Sequence, residues 1–215
     1  MAFAPASLRI RDFELSMVQV ARLEASPYSR AQVAYDFMGD GWEAKLTLAY
    51  LNDMQAAQTE AWLASLKGPM VPFQAYLFRN TGPFGTTAID AQIAATAVAR
   101  AEVVQVQQFH AIGSPSMVLN FGSNAGLGFS YGALVVGDRI TIGNHLHVVT
   151  VAGAVGGGGV QTLTIWPRLR ATAAIADPVT IQRPYGTWRL AAGRNTWTRL
   201  ITGERTQTID LIEAL

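Results

Sequence analysis

The 215-residue chain contains no cysteine, which removes disulfide scaffolding, a thiol nucleophile and any thiolate metal site. It is also short of charge. Asp, Glu, Lys and Arg together make 14% of the residues, against about 25% in an ordinary soluble domain. The 16 Lys and Arg nearly cancel the 15 Asp and Glu, for a formal net charge of +1, so there is no electrostatic footprint for gripping nucleic acid. No basic start followed by an unbroken apolar run marks a secretory leader, because Arg9, Arg11, Asp12 and Glu14 interrupt the first stretch. No run of ~18 predominantly apolar residues marks a membrane span. The nearest, residues 86–99, is diluted by Asp90, Gln92 and threonines. These absences point to a chain made and kept in a cytoplasm, without membrane insertion.

Half of the residues are apolar. High apolarity with low charge is the reverse of the balance that produces disorder. It also suits a lone monomer poorly, since solubility rests on a charged surface.

The apolar residues are patterned. Leu8, Ile10, Phe13 and Leu15, then Val18, Val20 and Ala21, and then Val33, Tyr35 and Phe37 beyond a loop at 26–29 read as strands. Met38-Gly39-Asp40-Gly41 reads as a turn. Trp42, Ala44, Leu46, Leu48 and Tyr50 alternate strictly with Glu43, Lys45 and Thr47, the signature of a strand with one buried face. A helix follows, capped by Asn52 with Gln55 completing a capping box. Its expected apolar stripe is Met54, Ala57, Ala61, Trp62 and Leu66, with a stop at Lys67-Gly68-Pro69. Trp42 and Trp62 fall at buried phases. Val71, Phe73, Ala75 and Leu77 resume the strand pattern.

From Thr81 the texture changes: between Gly82 and Gly159 the only charged residues are Asp90, Arg100, Glu102, Asp138 and Arg139. Short strands are expected at 103–109, 117–121, 133–136, 139–142, 145–151, 160–166 and 178–182, with glycine-rich breaks at 122–128 and 156–159. That spacing reads as a small barrel or sandwich. After Pro184 charge and aromatics return; 187–190 and 196–200 flank Gly193-Arg194-Asn195 as a hairpin, and 207–212 forms the last strand. The expected class is mainly β, a layered run of strands with one embedded α-helix, plus an inserted small β-barrel or sandwich. Residues 1–80 and 184–215 would form one discontinuous domain and 81–183 the inserted β-domain.

Motifs that could carry chemistry are weak in context. Gly128-Phe129-Ser130-Tyr131-Gly132 matches the G-x-S-x-G elbow of hydrolases, with Asp138 and His145 following in order. The elbow needs a strand before the serine and a helix after it, whereas a glycine-rich loop precedes Ser130 and strand-like residues follow. It reads as a tight turn. His145 and His147 with His110 supply too few ligands for a metal. Gly156 to Gly159 lack the Lys-Ser/Thr and helix of a phosphate loop and read as a hairpin tip. Asp36, Asp40 and Glu43 read as a solvated loop rather than a glycosidase pair. Trp166-Pro167-Arg168-Leu169-Arg170 combines cation and aromatic as nucleic-acid grooves do. As a single cluster on a near-neutral chain it reads instead as a structural corner or subunit contact, through Trp166, Arg168 and Arg170. The expectation is a non-enzyme with no cofactor and no metal.

The order of several segments carries a resemblance. These are the Trp-led strand 42–50, the helix ending Trp62-Leu63-Ala64-Ser65-Leu66-Lys67-Gly68, and the strand with Phe73. Gly137-Asp138-Arg139-Ile140-Thr141-Ile142-Gly143, Val148-Val149-Thr150 and Ile165-Trp166-Pro167-Arg168-Leu169-Arg170 follow. Pro184-Tyr185-Gly186-Thr187-Trp188-Arg189-Leu190 and the terminal strand complete the series. Over most of its length the chain resembles distal tail proteins of long-tailed, non-contractile bacteriophages or prophages. The resemblance implies a tail-tube-like β-sandwich as ring domain and an inserted β-domain projecting outward, an attachment point for side fibres. It also implies a homohexameric ring joining the tail tube protein to the tip hub protein. The ring's channel would pass the tape measure and DNA in transit, and the protein would sit at the virion tail tip after assembly in the host cytoplasm. The family has no catalytic motif to carry over. A ring whose subunits cover one another tolerates low surface charge, and a near-neutral conduit does not hold DNA by its phosphates. The alternative is a carbohydrate- or receptor-binding module of a tail tip, using loops between Phe121 and Tyr131. A hydrolase through Ser130 ranks third.

Overall fold

The computed structural model describes residues 4, 10–25, 28–29, 32–37, 39–51, 53–76, 104–121, 134–156, 158–181, 183–191, 197–199 and 205–215. In chain order the elements are β1 (Ile10–Val18), β2 (Ala21–Ala25), β3 (Gln32–Asp36), β4 (Gly41–Leu51), α1 (Asp53–Ser65), a 3-10 turn (Gly68–Met70) and β5 (Phe73–Tyr76). Then come β6 (Gln105–Val106), β7 (Ser116–Asn120), β8 (Arg139–Ile142), β9 (His145–Ala152), β10 (Val160–Trp166) and β11 (Val179–Thr180). β12 (Tyr185–Leu190), β13 (Trp197–Arg199) and β14 (Arg205–Glu213) end the chain. Among the described residues the fold is mainly β with one α-helix. Two compact units divide it: Met1–Gln74 with Trp188–Leu215, and Ala75–Thr187.

The first unit is organised by β4. Trp42, Ala44, Leu46 and Leu48 are buried while Glu43 and Lys45 are exposed, as the alternation requires. β4 is paired antiparallel on both sides, so Phe13, Leu46 and Ile209 form one continuous row across β1, β4 and β14, and Leu15, Ala44 and Leu211 the next. Rows of the opposite face are polar, such as Glu14, Lys45 and Asp210. The sheet runs β1-β4-β14-β12-β5, with β13 also on β14. Phe13 meets Trp188 of β12 edge to face with ring centroids 6.2 Å apart. In a flat sheet their strands would stand about 14 Å apart, so the sheet curls with its apolar face inward. The Trp42 N–H donates to the Glu213 carboxylate at 3.2 Å and ties the start of β4 to the end of β14.

α1 turns Ala56, Thr59 and Leu63 inward, with Leu66 just past its end. This corrects the expected stripe: Met54 is 67% exposed, and Ala57 and Ala61 are exposed too. Alanines on several sides leave little hydrophobic contrast to set the phase. Packing sets it instead, and Trp62 lies edge-on against Phe73 at 5.1 Å. The buried Thr59 hydroxyl donates to the Gln55 carbonyl at 2.8 Å, inside its own helix. The stop begins one residue before the glycine, because Lys67 (φ 51) is already left-handed ahead of Gly68 (φ 66). Arg189 then donates to the carbonyls of Pro69 and Met70, both at 2.9 Å, and fastens this corner to β12. Asn52 lies outside the described residues.

The segment read as a turn at 38–41 does not bring β3 and β4 together as a hairpin. Beyond the pair Val18↔Gly41, the Phe37 N–H donates to the Val20 carbonyl at 3.1 Å, and pairing resumes from Ala21↔Asp36 to Ala25↔Gln32. β1 with β2, and β3 with β4, are therefore the two legs of one long ribbon. The two legs are offset here like a bulge, between the pairs Val18↔Gly41 and Ala21↔Asp36. A Cβ on Gly39 would lie 3.0 Å from Val20 Cγ2 and 3.1 Å from Val20 Cβ, so a larger residue there would press on Val20. Likewise β12 and β13 do not pair with each other. Both run antiparallel to β14, Leu190 opposite Leu211 and Trp197 opposite Gln207, in line along one edge. Gly193-Arg194-Asn195 lie outside the described residues.

The second unit is a six-stranded antiparallel sheet in the order β11-β8-β9-β10-β7-β6. Its ends meet: Val179 N–H donates to Val104 O at 2.9 Å, Val106 N–H to Asp177 O at 3.0 Å and Ala176 N–H to Val106 O at 2.9 Å. These bonds close the sheet into a small barrel, which has no open edge there to protect. Met117, Leu119, Ile140, Val149, Leu163 and Ile165 are among the side chains that fill it. A register shift between Thr164 and Ile165 lets Thr150 and Val151 both face outward before Ala152 returns to the core. Residues 134–136 are not in the expected strand; a turn at 136–137 leads into β8 instead.

One feature of the first core is uncompensated. Gln207 is 2% exposed, and neither its amide nitrogen nor its amide oxygen has a hydrogen-bond partner among the described residues. Replacing an unpaired buried amide with an apolar group of similar size removes a desolvation cost of about 1–3 kcal/mol. Gln207→Leu is expected to raise the unfolding free energy by an amount in that range, read as a higher denaturation midpoint. A lower midpoint would show that the amide is bonded.

Candidate functional site

The three histidines serve the barrel separately. His110 is buried, and its Nε2 accepts the Val118 N–H at 3.0 Å while its backbone pairs with Ala173 in both directions at 2.9 Å. Nε2 is therefore unprotonated, and burial pulls the His110 pKa down. His147 is fully buried, and its Nδ1 donates to the Pro167 carbonyl at 2.8 Å. His145 is half-buried. Among the described residues no group of three or more His, Asp or Glu could hold a metal ion.

Asp138, which followed the serine motif in sequence, is buried and closes a turn: its Oδ2 accepts the Val135 N–H at 2.8 Å and its own N–H donates to the Val135 carbonyl at 3.1 Å. Ser130 and residues 128–132 lie outside the described residues, as do residues 122–131 of the expected binding loops. Gly156 to Gly159 connect β9 to β10, with Gly158 and Gly159 at positive φ. Asp36, Asp40 and Glu43 succeed one another along the β3–β4 leg of the ribbon and do not gather into a site.

Trp166, Arg168 and Arg170 are each half-buried, while Pro167 and Leu169 between them are buried. The alternation persists past the end of β10 because Leu169 stays in the core and is bonded on both sides. Its N–H donates to Ser114 O at 3.0 Å and its carbonyl accepts from Gly113 at 2.8 Å. The three expected contact residues therefore alternate with buried ones along this segment. Register adds a fourth: Arg139 lies opposite Val148, which lies opposite Trp166, so the three form one row across β8, β9 and β10. Burial lowers the Arg139 pKa.

Nearby, Tyr76 meets Tyr185 edge-on at 5.9 Å and Arg183 lies 4.5 Å over the Tyr76 ring. Burial, then Tyr76, raises the Tyr185 pKa. Its hydroxyl bonds to Asn144 Oδ1 at 3.1 Å. One face of Tyr76 that a sugar could stack on is thus occupied by the chain's own guanidinium.

Two features escaped sequence reading. Gln161 is buried in β10, where its Oε1 accepts the Leu134 N–H at 3.0 Å and its Nε2 donates to the carbonyls of Leu134 and Gly153 at 2.8 and 2.9 Å. It staples two non-strand segments to the barrel, and a glutamine within an alternating strand gives no sign of this. The other is the exposed ribbon of β2 and β3: Leu23, Val33, Tyr35 and Phe37 are 48% to 62% exposed. Among the described residues no helix is long and apolar enough to cross a membrane.

Gln161→Leu is expected to destabilise the barrel by about 2–4 kcal/mol, because it strands several buried backbone groups; chemical denaturation measures this. His110 gives a second outcome. With its folded pKa below the unfolded value of about 6.5, its contribution is complete above that pH and is lost as pH falls toward the folded pKa. Thermal melts between about pH 7.5 and pH 5 should fall more steeply for the native chain than for His110→Gln, which keeps an acceptor without titrating. Parallel profiles would remove His110 from the pH response. No protein-family model matches the chain, and no curated protein matches it.

Proposed function

We propose that this chain is a structural, non-enzymatic subunit of a homohexameric ring at the distal end of a long-tailed phage's tail. The ring would join tail tube to tip hub and leave a channel for tape measure and DNA in transit. The observation that carries the reading is the combination of low charge with large exposed apolar side chains in both units. Met17, Leu23, Phe37, Phe109, Ile112 and Ile175 are each more than half exposed, in a chain only 14% charged. Such a surface calls for cover by other subunits, and a head-to-tail contact that closes makes a ring. The ordered sequence resemblance supplies the identity of that ring. His110, His147 and Asp138 are taken up by backbone hydrogen bonds, which leaves them structural work. Partners above and below the ring would meet it through backbone-rich β surfaces rather than a catalytic pocket.

Light scattering coupled to size exclusion, with negative-stain imaging, is expected to find closed rings of about six copies. A monomer at all concentrations, not recruited into a ring by a tail-tube partner, would overturn the reading.

A further inference from the structure

We infer that Tyr76, Arg183 and Tyr185 form a latch on the barrel's seam, and that the second unit opens locally at this seam when the latch is released. The seam joins the shortest strands among the described residues, since β6 and β11 have two residues each. They meet through the bridge Gln105↔Pro178 and the backbone bonds of Val104, Val106, Ala176, Asp177 and Val179. On its other side β11 holds β8 by two pairs, Val179↔Ile142 and Thr180↔Thr141. A joint with so few bonds opens before the rest of a domain does.

Beyond Ile181, which is still in the core, the chain is caught again at once. Arg183 Cζ lies 4.5 Å over the Tyr76 ring, and Tyr185 meets the same ring edge-on at 5.9 Å. Tyr76 lies at the start of the unit and Tyr185 near its end, so one ring joins the segment that enters the barrel to the segment that leaves it. The leaving segment is also fixed to the strand that β11 pairs with. The Tyr185 N–H donates to Thr141 Oγ1 at 2.7 Å, the Thr141 hydroxyl donates to the Tyr185 carbonyl at 2.6 Å, and the Tyr185 hydroxyl donates to Asn144 Oδ1 at 3.1 Å. Thr141 thus holds β11 by its backbone and Tyr185 by its side chain.

The latch is closed under strain. Asn144 (φ 72) and Arg183 (φ 47) are both left-handed. Asparagine tolerates that region, but an arginine enters it rarely, and the proline that follows pushes residue 183 toward extended backbone. Such a conformation persists only where its surroundings hold it. Arg183 is exposed, so core packing does not hold its side chain. The Tyr76 ring beneath the guanidinium does, together with Tyr185 anchored two residues on. Losing the ring lets Arg183 relax, and that relaxation favours the open seam.

Hydrogen exchange on the full chain, under conditions where rates follow the opening equilibrium, tests this. The amides of Val106, Ala176 and Val179 report the seam, while those of Val149 and Ile165, bonded to the Asp138 and Pro115 carbonyls at 2.8 Å, report the rest of the barrel. Tyr76→Leu is expected to speed exchange at the three seam amides about tenfold and to leave Val149 and Ile165 at native rates. Tyr76→Phe keeps the ring and should keep native rates throughout. Arg183→Asn keeps a residue suited to left-handed backbone but removes the cation, and should speed the same three amides about threefold. Its position is exposed, so it carries the test if Tyr76→Leu does not fold. Seam amides that stay at native rates in these two variants overturn the latch, and so does an equal acceleration at Val149 and Ile165, which would make the ring ordinary packing.

Discussion

The pairing of β4 on both sides is the constraint from which the first unit follows. Its alternating side chains are matched opposite by those of β1 and β14, so a slip of one residue on either side would turn Leu46 and its row neighbours into solvent. With that register held, the sheet can curl until Phe13 and Trp188 meet. α1 then has a concave apolar face to cover, and β4's continuation into β3 carries the ribbon beyond the sheet. The helix phase, the position of Trp62 and the overhang are all consequences of that one register.

The barrel depends on closure instead. A short β6 and a two-residue β11 would be poor sheet edges, but the backbone bonds between 104–106 and 176–179 make each the other's neighbour. The interior is then filled with aliphatic side chains, and the polar residues that enter it arrive with their hydrogen bonds arranged. Gln161, His110 and His147 each replace a strand partner where the ladder is interrupted. This is why residues with catalytic reputations are spent on structure.

The same view orders the residues expected to touch other subunits. Trp166, Arg168 and Arg170 occur at alternate positions of a segment whose intervening residues are buried, and Arg139 joins their row from two strands away. Their half-burial leaves less of them to offer than the ribbon offers.

The sequence by itself determined the elements whose signal is local contrast. The β4 alternation, the existence of one helix and its end, β8 to β10 and the β-rich class all follow from side-chain period and from residues that break it. Tertiary structure alone decided whatever depended on a partner. α1's buried face was illegible because alanines surround it and the sheet chose Ala56, Thr59 and Leu63. The glycines at 39 and 41 signal a turn locally, but cross-strand bonds to β1 and β2 keep the strand going. β12 and β13 align on β14 for the same reason. Leu134 left its expected strand because the side chain of Gln161, 27 residues later, bonds its backbone on both sides. A backbone group's partner is set by what lies across from it in space, and residue order does not contain that distance.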